Sequence, residues 1–86
     1  MANLNPANRN EVSALLADLE AATSHISPSA DLRLFELLEA AKAASASGDA
    51  AALSAAAEAI EEHCLYKAEA VVSAAGALRR ALDVRK

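Results

Sequence analysis

The sequence predicts an all-α protein: a small arrangement of three helices, two of about 18–20 residues and one long C-terminal helix, forming a helical-bundle homodimer. Three observations predict it. Alanine supplies 25 of the 86 residues, while glycine and proline supply two each. Apolar residues recur at helical spacing along three segments. Cap-like pairs, Asn5-Pro6, Ser27-Pro28 and Gly48-Asp49, punctuate the chain where those segments begin or end.

The first helix is expected over about residues 6–25. Asn5 reads as its cap and Pro6 as its first helical residue, with Asn8 and Glu11 as a second, capping-box start. Val12, Leu15, Leu16, Leu19, Ala22 and Ile26 then form the apolar face. The second helix is expected over about residues 28–46, capped by Ser27, with Asp31 in its first turn, where the dipole favours an acid. Leu32, Leu34, Phe35, Leu37, Leu38 and Ala41 make it the most apolar segment, suited to packing on two neighbours. Gly48 suits the end of that helix, and Asp49 suits the cap of the next.

A third helix is expected over about residues 50–83. Unbroken, it would run about 34 residues and about 50 Å, against about 30 Å for each of the others. Leu53, Ala57, Ile60, Cys64, Ala68, Val71, Ala75, Leu78 and Leu82 fall within a sector of roughly 80°. Glu58, Glu62, Glu69, Ser73 and Arg80 lie opposite, and Leu65 and Val72 lie on a flank beside Glu61 and Arg79. The stripe outlasts its expected neighbours. Leu78 and Leu82 would be left bare, and a second copy in an antiparallel or swapped dimer would cover them. The alternative is a kink near Gly76 that folds the end back.

Length limits the chain to one domain, residues 1–86. The 55% hydrophobic content overstates the core, which must come from 12 Leu, 4 Val, 2 Ile, Phe35 and Met1. Small cores of this kind gain stability by association. Net charge is −4. Residues 1–78 carry 11 acidic and 4 basic side chains. Such an acidic body argues against direct binding of nucleic acid or an anionic membrane. The basic end, Arg79, Arg80, Arg85 and Lys86, reads as cations complementing a helix C-terminus. One cysteine allows no intrachain disulfide. No leader-like opening and no membrane-length apolar run are legible, so a cytoplasmic setting is expected.

The segment Ile60-Glu61-Glu62-His63-Cys64-Leu65-Tyr66-Lys67-Ala68-Glu69 gathers the reactive residue types, but a helix disperses them. Glu61, Glu62 and His63 splay around the axis at about 100° per residue. No glutamate stands three residues before His63, as a carboxylate-bridged metal site in a bundle would need. Cys64 falls among the apolar stripe, and no Gly-rich phosphate loop exists. No metal, cofactor or catalytic residue is expected.

The run GDAAALSAAAEAIEEHCLYKAEAVVSAAGAL resembles the hairpin of histidine phosphotransfer domains, where a Gly-Asp turn leads into a helix bearing an exposed histidine, then lysine and glycine. That resemblance implies a phosphotransfer role for His63. The family's histidine falls where this chain has Ala57, Lys67 follows His63 at a longer spacing, and Ala68 stands where glycine is expected. The shared turn is common to helical hairpins, and the chain is not assigned to the family.

The expected function is non-catalytic: an adaptor, inhibitor or regulatory subunit contacting another protein, one with a basic surface, through Glu58, Glu62, His63, Tyr66, Lys67, Glu69, Leu78 and Leu82. A metal or phosphotransfer site at His63 is the alternative.

Overall fold

In a computed structural model the described residues are 6–65 and 68–83, with side chains described for 9–65 and 68–82. They form four helices and no strand: α1 (Pro6–Ala22), α2 (Leu32–Ser47), α3 (Ala50–His63) and α4 (Glu69–Asp83). The all-helical expectation holds. The expectation of three helices does not, because the long third helix is two.

Pro6 opens α1 as its position suggests; the expected cap Asn5 lies outside the described residues. Val12, Leu16 and Leu19 form its buried stripe. The helix stops at Ala22, short of the expected residue 25. Thr23 and Ser24 are the reason. Their hydroxyls donate to the carbonyls of Glu20 and Ala21, each at 2.8 Å. Their amides close tighter turns onto the same two oxygens.

α2 starts four residues later than expected. Ser27-Pro28 makes a turn, with the Ala30 amide donating to the Ser27 carbonyl at 2.9 Å. Asp31 is the cap: its carboxylate accepts from the Leu34 amide at 3.1 Å. Asp31 is preferred because it also answers His63, a bond that Ser27 does not make. The other end follows expectation. Gly48 adopts φ 75° and ψ 20°, and its N–H donates to the carbonyls of Ala44 and Ser45. Arg9 lies against it, so a Cβ there would also sit 2.7 Å from the guanidinium. Asp49 caps α3 by accepting from the Ala52 amide at 3.0 Å.

α3 ends at His63, with Cys64 as its C-cap. The break falls between His63 and Glu69, and Gly76 lies inside α4. Gly76 serves close approach instead: a Cβ there would stand 3.1 Å from a Glu61 carboxylate oxygen. No glycine or proline forces the break, so packing must. Straight, the helix would leave the half beyond Ala68 without a partner. Folded back, it buries Val71, Ala75 and Leu78 almost completely and leaves Leu82 only 5% exposed. Burying each of these larger side chains stabilises by about 1.5–3 kcal/mol. The few backbone bonds lost at the turn cost about 1 kcal/mol each. Folding back wins.

The end of α3 meets the start of α2 through His63 and Asp31, Arg79 of α4 meets Glu61 of α3, and Arg9 of α1 lies beside Gly48. α3 packs most closely on α4 and α2, α4 also packs on α1, and α1 and α2 meet least. The bundle measures 35 × 20 × 18 Å. Ala41, Ala44, Ala50, Ala56 and Ala57 are buried, and their small size lets the backbones approach. Lys42 ties the loosest pair, reaching Glu20 of α1 at 3.2 Å and Glu39 at 3.1 Å. Hydrogen bonds to Glu39 and Glu20 hold its ammonium above the ordinary value of 10.5. Its contribution is therefore present below that value and fades as pH rises beyond it.

Leu78 and Leu82 are thus covered within the chain, which removes the reason they gave for a second copy. Among the described residues no helix is long and apolar enough to cross a membrane. Leu78→Ala should destabilise the fold by about 2–4 kcal/mol in urea unfolding. Leu32→Ala, at a side chain 68% exposed, should change stability by no more than about 0.5 kcal/mol. Equal effects would contradict this placement of the core.

Candidate protein-contact site

Shape and charge come together where α3 gives way to α4. Glu58, Glu61, Glu62, Leu65 and Arg79 line an open cleft of about 260 Å³ between the two helices. Enclosed small-molecule pockets run to about 300–1,000 Å³ and bury most of the ligand, so this shallow volume suits a side chain of a larger partner.

Each residue is there for a local reason. Glu58, Glu61, Glu62 and Leu65 follow one another around the last turns of α3, at steps of three, one and three residues. Glu61 faces α4, where Arg79 grips it: Nε donates to Oε1 at 2.8 Å and Nη2 to Oε2 at 3.4 Å. This two-point grip is partly buried and closes one wall. Glu58 and Glu62 stand exposed on the other wall and make no ion pair among the described residues. Leu65, half exposed at 51%, is one of only two large apolar side chains left in the open among those residues.

His63 does not join the cleft. It turns toward α2, where Nε2 lies 2.9 Å and 3.1 Å from the two oxygens of Asp31. A carboxylate only accepts, so Nε2 carries the proton and donates. Asp31 therefore serves two helices at once, capping α2 and holding the last residue of α3. Cys64, the next residue, is buried in the core. Among the described residues no group of three or more His, Cys, Asp or Glu side chains could hold a metal ion.

The expected contact residues thus scatter. Glu58 and Glu62 share the cleft. His63 lies on the α2 side of α3. Glu69 sits exposed in the first turn of α4, where its charge suits the helix dipole. Leu78 and Leu82 are core residues and offer no surface. Tyr66 and Lys67 lie outside the described residues. Three cleft residues were missed, Glu61, Leu65 and Arg79, although the helical angles had already set them together on one flank. The Asp31–His63 bond spans 32 positions and carries no local signal.

Comparison with known protein families, characterised proteins and solved structures finds no match for this chain.

Asp31→Ala should cost about 1–2 kcal/mol in urea unfolding, because it removes a cap and a partner of His63 together. Asp31→Asn should cost clearly less, since an amide oxygen still caps. Equal costs would show that the cap is not what Asp31 contributes.

Proposed function

We propose that this protein is a non-catalytic protein-interaction module, an adaptor, inhibitor or regulatory subunit, and that the α3–α4 cleft is its contact surface. The observation that carries this reading is the meeting of an exposed Leu65 with two carboxylates, Glu58 and Glu62, at one cleft. An apolar anchor beside two exposed carboxylates is what a partner segment with a basic and an apolar side chain would complete. The partner's surface would be basic, including one that otherwise engages nucleic acid. A net charge of −4 supports steering toward such a partner. Association of two copies and a cytoplasmic setting belong to the same proposal; a single cysteine, which leaves no intrachain disulfide to form, is in keeping with a reducing compartment.

The alternative, metal or phosphotransfer chemistry at His63, has the exposed part of an imidazole in its favour. Against it stands the Asp31 carboxylate on Nε2, which repels an approaching phosphoryl group.

The test is partner capture from the native source, followed by variants. Reversing Glu58, Glu62 and Glu69 to lysine should weaken binding at least about tenfold and flatten its salt dependence. His63→Ala should leave binding within about threefold of the unsubstituted chain. Indifference to the charge reversal, or loss of binding with His63→Ala alone, would overturn the reading.

A further inference from the structure

We propose that two copies of this chain pair by exchanging α4, with α3 and α4 of each chain joined as one helix and each α4 seated on the α1 and α3 of the other copy. This gives a specific form to the two-copy association proposed above.

Four observations carry it. The apolar stripe from Leu53 to Leu82 keeps a single helical register across the bend, so both halves face inward whether the chain is bent or straight. The chain from Asp49 to Ala75 contains neither glycine nor proline, so nothing in it forbids a continuous helix. The described backbone at the bend is already close to helical. Cys64 sits at φ −99° and ψ 6°, next to the helical region, and the Ala68 amide donates to the Cys64 carbonyl at 3.1 Å in the i to i−4 pattern of a helix. Finally, Leu65 stands half exposed in the connecting segment. In the exchanged dimer the two connecting segments run side by side, and Leu65 gains a counterpart from the second copy.

Exchange leaves the seat of α4 unchanged. The closed chain and the exchanged dimer therefore differ in the connecting segment and in the entropy of association. The balance is set by concentration, and the dimer forms most readily when chains fold together.

The ion pair between Arg79 and Glu61 gives a direct test, because it lies within one chain in the closed form and between chains in the exchanged form. Glu61→Arg alone and Arg79→Glu alone each set like charges across α3 and α4, in the closed form and in a self-exchanged dimer alike. Mixed, unfolded and refolded together, they restore opposite charges at both seats only by exchanging. Native mass spectrometry should then show a mixed dimer of twice the 8.8 kDa chain, enriched about tenfold over either self-dimer. Monomers alone, or dimers in the proportions of random pairing, would overturn the proposal.

Should either variant fail to fold even in the mixture, unsubstituted chains carrying two different mass tags decide the matter. Co-refolding should give mixed dimers, whereas combining already folded dimers should give them only slowly, since exchange requires α4 to leave its seat. Free mixing of folded dimers, or a monomer at every concentration, would overturn it. A monomer at every concentration leaves capture of a basic partner through Glu58 and Glu62 standing, because that capture is read on the monomer.

Discussion

Leu53, Ile60, Val71, Leu78 and Leu82 lie in one helical register, and the need to bury all of them together is the constraint on which the rest of the structure depends. The chain has few large apolar side chains, and alanine fills much of the remainder. It cannot leave half of its best stripe in water. The break between His63 and Glu69 lays the stripe of α4 against α3 and gives α1 its closest neighbour. The helical hairpin, the closed core and the cleft at the bend all follow from that act of burial.

The bend also positions the polar chemistry. It brings Arg79 onto Glu61 and leaves Glu58, Glu62 and Leu65 on an open edge. It ends α3 at His63, so the imidazole can meet Asp31 at the start of α2. Gly76 completes the fit, because α4 crosses Glu61 where a side chain would crowd the carboxylate. Residues that seem to form one reactive cluster in the sequence therefore end on separate faces. Cys64 enters the core, His63 joins α2, and Glu62 lines the cleft.

Local signals were legible and tertiary ones were not. Pro6 and Gly48 act through their own backbones, and Asp49 through its carboxylate on an amide three residues away, so their roles could be read directly. The inward stripe was legible too, since helical spacing alone selects it: all but Ala68 are buried, and Ala68 packs at the edge of the core. What spacing could not decide was whether the stripe is buried by a bend or by a second copy, because both satisfy it. Ser27 and Asp31 are both competent caps, and the choice depends on a histidine 32 residues beyond Asp31. Glu58 and Glu62 were visible on a polar face. The meeting of Glu61 with Arg79 needed the return of α4 onto α3.

Small-angle X-ray scattering on the dilute chain tests the central claim most directly. A bent, four-helix chain at its 8.8 kDa mass should give a radius of gyration close to 12 Å, allowing for hydration. A straight helix over residues 50–83 would instead impose a maximum dimension above about 50 Å. That larger dimension, seen in a dilute monomer, would contradict the account.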